Sequence, residues 1–193
     1  MNAILKKIGQ FFLDTIQAIV LALSIFIIVY LFLFQPHLVK GSSMYPNFID
    51  HEFLLTNKLA YRFGLPQRGD VIVFKAPLSE PCAEIDCEYI KRIIGLPGDR
   101  VRLSEGKIYI NDSLLNESDY LAKDVLSNQG TFLANNVERV IPDGFYLPLG
   151  DNRPFSRDGR EFGPIARSSI VGKAWLRYWP IRKIGFVKHE SYK

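Results

Sequence analysis

The feature that most constrains the fold of this chain is a long stretch that contains no Asp, Glu, Lys or Arg. It runs from Thr15 to Val39, and its core, Thr15 to Phe34, reads TIQAIVLALSIFIIVYLFLF. Twenty helical residues at about 1.5 Å each reach about 30 Å, the thickness of the hydrocarbon layer of a bilayer. A buried core helix seldom stays apolar on every face over such a length. The segment therefore predicts a transmembrane helix.

A cleavable secretory leader is the alternative interpretation of this segment. Its apolar part would be about 7–15 residues long and would end at a small-x-small site. Here the stretch is longer and continues as FQPHLVK, so we predict a permanent anchor. Lys6 and Lys7 precede the segment and Lys40 alone follows closely, which predicts a cytoplasmic N-terminus. We expect residues 1–36 to form a stub and a single-pass anchor in a cell membrane, and residues 37–193 to form an extracytoplasmic domain.

Beyond the anchor, short β-branched and aromatic runs alternate with turn residues. The runs are Glu52–Thr56, Asp70–Lys75, Glu88–Gly95, Arg100–Leu103, Lys107–Ile110, Gly144–Gly150 and Ile170–Trp179. Their spacing predicts a mainly β domain, either a barrel or a sandwich. The polar segment 116–140 is interpreted as a loop excursion or a short helix, and the basic tail after Pro180 as a solvated end.

Charge and cysteine content limit the possible partners and cofactors. The formal net charge of +4 lacks the clustered Lys and Arg of a nucleic-acid footprint, so no nucleic acid is expected. Cys82 and Cys87 without a second pair or a nearby His make a poor zinc site, and no cofactor is implied. The two cysteines form a disulfide loop in an oxidising compartment or remain free thiols in the cytosol, and the exterior placement favours the disulfide.

Two adjacent serines in VKGSSMYPNF, Ser42 and Ser43, are candidate nucleophiles just after the anchor. A serine hydroxyl needs a base to take its proton, and that base is usually a histidine. The chain has His37 beside the anchor, His51 eight residues after Ser43, and His189 in the tail. No G-x-S-x-G motif is present, so the sequence does not indicate a histidine triad.

A lysine is the alternative base, provided that it is neutral. Deprotonating a lysine of ordinary pKa at pH 7 costs about 4–5 kcal/mol, a shift that burial can supply. In EYIKRIIGLPGD, strand alternation puts Lys91 and Arg92 on opposite faces, so one of them must face an apolar layer or an edge. The competing interpretation is an ordinary strand in which Lys91 extends its ammonium to water.

A third stretch, GDNRPFSRDGREFGPI from Gly150 to Ile165, is dense in polar groups. Its three glycines and two prolines predict a shaped loop and not a helix. One interpretation is a solvated charged loop. The other is a rigid platform in which Asp158 and Arg160 pair while Ser156 orients a neighbouring base. Composition does not choose between them.

The order of these blocks behind an anchor resembles the type I signal peptidases of bacteria, which are membrane-bound serine proteases. The matching blocks are GSSMYPN, RGDVIVF, YIKRIIGLPGD and GDNRPFSRDGREFGPI. The resemblance implies a Ser43 nucleophile, a Lys91 general base, and preproteins with signal peptides as substrates. It also implies a serine that hydrogen-bonds the lysine, Ser156, and a bracing pair, Asp158 and Arg160. The implied fold is a catalytic domain of coiled antiparallel sheets with an apolar surface near the lipid bilayer.

Two positions depart from the pattern of that family. Some members have a serine two residues before the nucleophile whose hydroxyl helps to form the oxyanion hole, and here that position is Gly41. The Ser43 backbone N–H should then carry more of that role. The last block often reads D-S-R, whereas this chain has Gly159 between Asp158 and Arg160, and we expect a more flexible turn there.

Two other functions are compatible with parts of the sequence. A Ser-Lys autoprotease of the repressor-cleaving type would need a DNA-binding domain, whereas the N-terminal part of this chain is the predicted anchor. A membrane-tethered β-barrel binding or scaffold protein would leave Ser43 and Lys91 with structural roles only. An exposed Lys91 would favour the scaffold, and a buried Lys91 within reach of Ser43 would favour the peptidase.

Overall fold

A long apolar helix leads into an antiparallel β domain. The computed structural model describes residues 2–81 and 87–192. Helix α1 spans Asn2–Phe32 and contains an apolar span, Lys6–Tyr30, with a mean hydropathy of 2.4 and no burial against the rest of the protein. This helix is long and apolar enough to cross a membrane. It starts earlier than the predicted apolar core and ends two residues before Phe34.

Twelve strands are present in the part of the chain that the structure describes. They are β1 (Phe34–Leu38), β2 (Phe53–Asn57), β3 (Val71–Lys75), β4 (Glu88–Gly95), β5 (Arg100–Ser104), β6 (Lys107–Ile110), β7 (Ser113–Leu114), β8 (Glu138–Val140), β9 (Phe145–Leu149), β10 (Ile165–Ala166), β11 (Ile170–Trp179) and β12 (Gly185–Phe186). The seven predicted strands are all present with ends shifted by one residue at most. The mainly β prediction is therefore confirmed.

The strands form two antiparallel sheets. The larger has the order β1-β2-β11-β3-β4-β9-β10, with β12 also paired to β11, and the smaller has the order β7-β6-β5-β8. The predicted domain boundary at residue 36 lies within β1, which pairs along its whole length with β2. The first sheet strand therefore follows the helix after a single residue, Leu33.

Strand β3 explains where the core lies. Its residues Val71 and Val73 belong to one buried apolar cluster, whereas Ile72 and Phe74 belong to another on the opposite face. A strand that is buried on both faces has apolar residues at successive positions, instead of alternating apolar and polar residues, and VIVF shows this pattern. A third cluster packs the smaller sheet against the end of β4 and against β9.

Two predictions outside the strands are wrong. The stretch after β9 contains a 3₁₀ turn, Arg153–Phe155, and one α-helical turn, α2 (Gly159–Phe162), which Asp158 caps by accepting a hydrogen bond from the backbone N–H of Arg160. The tail after Pro180 is not fully solvated, because Val187 is buried and the Tyr192 hydroxyl donates to the Tyr120 hydroxyl at 2.8 Å. The prediction rests on the basic residues of the tail, whereas its apolar and aromatic residues pack against the domain.

Candidate active site

The two residues proposed to carry the chemistry, 48 positions apart in the chain, meet in the fold. Ser43 lies in the turn between β1 and β2, and Lys91 lies in β4. The Lys91 Nζ is 2.6 Å from the Ser43 Oγ. A neutral lysine at this distance can accept the proton that a serine must lose in order to act as a nucleophile.

Burial of Lys91 determines how much of it is neutral. The residue is 3% exposed and lies opposite Ile72 in the β3–β4 ladder, so its stem crosses an apolar layer. Burial lowers the pKa of Lys91 to about 8, while the negative charges of Asp158, Asp151 and Glu80 oppose the shift. At pH 7 about a tenth of such a group is neutral, compared with less than a thousandth for an ordinary lysine.

The loop after β9 holds the turn that carries Ser43, the candidate nucleophile. The backbone N–H of Asn152 donates to the Ser43 carbonyl at 3.0 Å, and the Asn152 side chain donates to the Ser42 carbonyl at 2.9 Å. The backbone N–H of Asp151 donates to the Met44 sulfur at 3.4 Å. These contacts fix the backbone on both sides of the Ser43 side chain.

A buried ion pair behind the loop was not predicted. Arg92 donates from Nε and Nη2 to the two carboxylate oxygens of Asp151 at 2.9 and 2.8 Å. The Asn47 side chain donates to the same carboxylate at 2.8 Å. Strand alternation puts Lys91 and Arg92 on opposite faces of β4. If both faces are buried, Arg92 needs a buried acidic partner, and that requirement is the sequence signal that could have revealed this pair.

Asp158 and Arg160 form a second buried pair close to Lys91. Asp158 accepts from Arg160 Nε and Nη2, both at 2.9 Å, and from the backbone N–H of Gly150 at 2.8 Å. Burial opposes the charge of Asp158, but these hydrogen bonds outweigh it and hold its pKa below the usual range. Arg160 also donates to the backbone carbonyls of Arg153 and Ser156, so it joins the end of the loop to its earlier part.

A cleft of about 580 Å³ contains the serine and the lysine. Its walls come mainly from β1 and from the first half of β4, and its lining includes Val39, Leu54, Val73, Ile90 and Arg157. His37 Nδ1 and Glu88 Oε2 connect the two walls at 3.0 Å. Burial and the nearby charge of Lys58 lower the pKa of His37 to about 4, so this histidine is neutral at physiological pH. Across the described ranges, no cluster of three or more His, Cys, Asp or Glu residues could hold a metal ion.

Comparison with known proteins gives the family. The family described as "Signal peptidase, peptidase S26" matches residues 12–179. The chain belongs to this signal peptidase family. It is 36% identical over 185 residues to a Signal peptidase IB of Staphylococcus aureus, covering 90% of this chain and 93% of the relative. It is 33% identical over 176 residues to a Probable signal peptidase I-2 of Synechocystis, covering 91% and 75%.

A solved structure of a signal peptidase I from Enterococcus faecalis is also similar, with 30% identity and a TM-score of 0.44 over 57% of this chain and 97% of that chain. Membership of the signal peptidase family makes the chain a hydrolase, a serine endopeptidase whose substrates are preproteins with signal peptides.

Within this signal peptidase fold, Ser156 does not make the predicted hydrogen bond. Its Oγ is buried without a hydrogen-bond partner among the residues that the structure describes, whereas the Lys91 Nζ is within hydrogen-bond distance of the Ser43 Oγ. Ser156 packs against Gly150, where an added Cβ would lie 2.0 Å from the Ser156 Oγ. In this structure Ser156 therefore contacts the loop backbone and does not orient the lysine.

The two departures from the signal peptidase pattern have clear structural settings. Gly41 has φ +86°, a left-handed conformation that favours glycine, and its N–H donates to Asp50 Oδ1 at 2.8 Å. The Gly41 N–H is thus occupied, whereas the Ser43 N–H donates to no group within the described part of the chain. Gly159 is buried, and an added Cβ would lie 2.7 Å from the Pro148 carbonyl oxygen. Its missing side chain permits close packing of the turn against β9.

The cysteine prediction falls partly outside the described residues, because Cys82 lies in the undescribed range. Cys87, at the start of β4 and in the lining of the cleft, is disulfide-bonded.

Proposed function

We propose that the chain is a membrane-bound endopeptidase that removes signal peptides by a Ser43–Lys91 dyad. The single observation that supports this most strongly is the 2.6 Å contact between the Ser43 hydroxyl and a lysine that is 3% exposed. A scaffold protein would gain nothing from burying a lysine, since burial penalises its charge.

In the proposed mechanism, neutral Lys91 takes the proton of the Ser43 hydroxyl as Ser43 attacks the scissile carbonyl. The protonated lysine then gives this proton to the leaving amine and becomes neutral again. A water deprotonated by Lys91 attacks the acyl-enzyme, and the proton returns to the Ser43 oxygen as the acid product leaves. The first and last proton transfers need a base within hydrogen-bond distance of the Ser43 oxygen, and the observed contact supports both.

The oxyanion would be stabilised by backbone donors. The Ser43 N–H is the first candidate because it has no acceptor in the described protein, and Gly41 offers neither a side chain nor a free N–H. Loss of one such donor typically lowers the rate by about 100- to 1000-fold. The Asp158–Arg160 pair would brace the loop that holds the serine turn.

Substrate would bind as an added strand. Strand β1 is at the edge of its sheet, and β4 pairs with β9 from Arg92 onward, so among the described strands none pairs with Tyr89 and Ile90 on that side of β4. Both edges line the cleft, which suits an extended peptide that forms main-chain hydrogen bonds to the walls. The family resemblance adds a preference for small residues at the first and third positions before the cut.

Helix α1 would tether the enzyme, with residues 1–36 as stub and anchor and residues 37–193 outside the cytoplasm. The apolar span Lys6–Tyr30 is unburied, as expected for a helix surrounded by lipid. Tethering raises the effective concentration of membrane-embedded substrates at the cleft.

The test is cleavage of a preprotein by purified full-length variants in lipid vesicles. Ser43→Ala and Lys91→Ala should each abolish cleavage, while thermal unfolding and flotation with vesicles stay close to those of the parent. Ser42→Ala should retain activity, because Ser42 contributes its carbonyl and not its hydroxyl to the observed contacts.

Substantial activity in Lys91→Ala would exclude the dyad. Loss of activity in Ser42→Ala as complete as in Ser43→Ala would show that the assigned nucleophile is wrong.

A further inference from the structure

A second pocket, separate from the cleft, lies beside the junction of α1 and the β domain. It has a volume of about 300 Å³ and is lined by Lys58, Tyr61, Arg62, Arg167, Ile170 and Val171. Three of these six residues are cations and none is acidic. We call this site the basic pocket. An anion would be the complementary ligand.

The position of the basic pocket along the chain sets its depth relative to a membrane. The backbone N–H of Lys58 donates to the Leu33 carbonyl at 2.9 Å, and Asn57 pairs with Phe34. Leu33 is three residues beyond Tyr30, where the apolar span ends. Three residues at 1.5 Å are about 5 Å, which is within a headgroup layer about 5–7 Å thick. Lys58 therefore lies at headgroup depth when α1 spans the bilayer.

Exposed apolar side chains flank the pocket. Phe63 is 90% exposed and Leu65 is 66% exposed, in the same loop as Arg62. A soluble anion would explain the cations but not these two side chains. A lipid surface explains both, because it offers negative headgroups and apolar chains side by side.

The pocket is held in shape by its own residues. Arg167 Nη2 donates to the Tyr61 and Gly64 carbonyls at 2.7 and 3.2 Å, which ties the loop to the segment before β11. The Tyr61 hydroxyl donates to the buried Asp70 at 2.9 Å. The loop thus presents Arg62 from a fixed backbone.

We propose that the basic pocket binds the phosphodiester headgroup of an anionic phospholipid. This inference rests on the proposed tethering by α1, and it is independent of the Ser43–Lys91 chemistry. The bound lipid would hold the β domain against the bilayer in one orientation.

The experiment uses full-length protein in phosphatidylcholine vesicles that contain dansyl-labelled phosphatidylglycerol or, at the same mole fraction, dansyl-labelled phosphatidylcholine. Energy transfer from the two native tryptophans reports lipid near the domain, since Trp175 is four residues along β11 from Val171, about 13 Å away. We expect transfer to favour the phosphatidylglycerol probe. Arg62→Gln should lower its relative association constant about fivefold, the contribution of one cation near an anionic surface.

The matched control is Lys107→Gln, which removes one positive charge from an exposed position in β6 of the smaller sheet. The control should keep the preference of the parent protein. Arg62→Gln/Arg167→Gln is a second variant that should abolish the preference, and Lys107→Gln/Lys123→Gln matches its charge.

Equal losses in the pocket variants and their controls would indicate a diffuse charge effect and overturn the site. If the parent protein showed no preference for phosphatidylglycerol, yet sodium phosphate raised its Tm and sodium chloride of the same ionic strength did not, the ligand would be a soluble phosphate and the lipid assignment would fail. Flotation of each variant with vesicles and its cleavage of a soluble peptide report the tether and the peptidase separately. A failure of the proposed function would therefore be distinguishable from a failure of the pocket.

Discussion

At the scale of single residues, a buried lysine acting as the base would make catalysis depend on pH. In the proposed mechanism Lys91 must be neutral to act, and burial brings its pKa to about 8. We expect kcat/KM to rise about tenfold per pH unit below pH 7 and to level off above pH 9. A pH-rate profile with a soluble peptide substrate measures this, with circular dichroism at each pH as the control for folding. A profile that is flat between pH 6 and 9 would contradict the assignment of the base.

The same burial predicts that catalysis and stability oppose each other at Lys91. An unfolded lysine keeps its proton up to about pH 10.5, whereas the folded one loses it near 8. Below pH 8 the folded state therefore carries a penalty of about 3 kcal/mol, which disappears as the pH rises from 8 to 10.5. Replacing Lys91 by an apolar residue would remove this penalty and so raise the free energy of unfolding. Loss of the hydrogen bond to Ser43 would offset about 1 kcal/mol of that gain.

We therefore expect the inactive variant Lys91→Met to raise the free energy of unfolding by about 2 kcal/mol at pH 7, and by less at pH 10. Urea unfolding at the two pH values measures the difference. Lys107→Met, at an exposed position, serves as the control and should show no comparable gain. A Lys91→Met protein less stable than the parent at pH 7 would contradict the burial penalty.

The sequence points to candidate catalytic residues more clearly than to the groups that surround them. Ser43 and Lys91 were identified through the motif resemblance, because strand alternation alone stated only that Lys91 or Arg92 must face inward. The structure buries both, since β4 is covered on its two faces and Asp151 pairs with Arg92. A contact between residues 59 positions apart depends on the tertiary fold, which local patterns do not encode.

At the scale of elements, the junction of β9 and the following loop depends on the absence of one side chain. A Cβ at Gly150 would lie 2.5 Å from the Ser43 carbonyl oxygen and 2.0 Å from the Ser156 Oγ. Gly150→Ala should displace the serine turn, and a displacement of about 1 Å can lower the rate about 100-fold. The measurements are kcat/KM together with Tm, to separate misplacement from unfolding.

Gly185→Ala is the matched substitution, because no atom lies within 4 Å of an added Cβ there. It should leave kcat/KM unchanged. An active Gly150→Ala enzyme would show that the loop adjusts without moving the nucleophile.

Strand prediction succeeded where residue type and burial agreed. Runs such as VIVF and KIYI coincide with β3 and β6. Strand β1 was missed because FQPHL contains a proline and adjoins the apolar helix, so its local pattern does not alternate. It is a strand because β2 supplies a pairing partner, and the proline is tolerated at the edge of the sheet.

At the scale of the whole molecule, the proposed topology rests on α1 and on the charges around it. We expect an epitope tag before residue 6 to be protected from protease in intact spheroplasts, whereas a tag after residue 193 is digested. Both tags should be digested once the membrane is permeabilised with detergent. Digestion of the amino-terminal tag in intact spheroplasts would reverse the predicted orientation.

The junction between helix and sheet has a consequence for the choice of cut site. Only Leu33 separates α1 from β1, and its carbonyl accepts a hydrogen bond from the Lys58 N–H, so α1 and the sheet are joined without a flexible linker. With α1 in the bilayer as proposed, Ser43 would be kept at a constant height above the lipid surface. An enzyme built in this way can measure a distance along its substrate. It would select a bond by its distance from the point where the substrate leaves the membrane, in addition to the side chains around that bond.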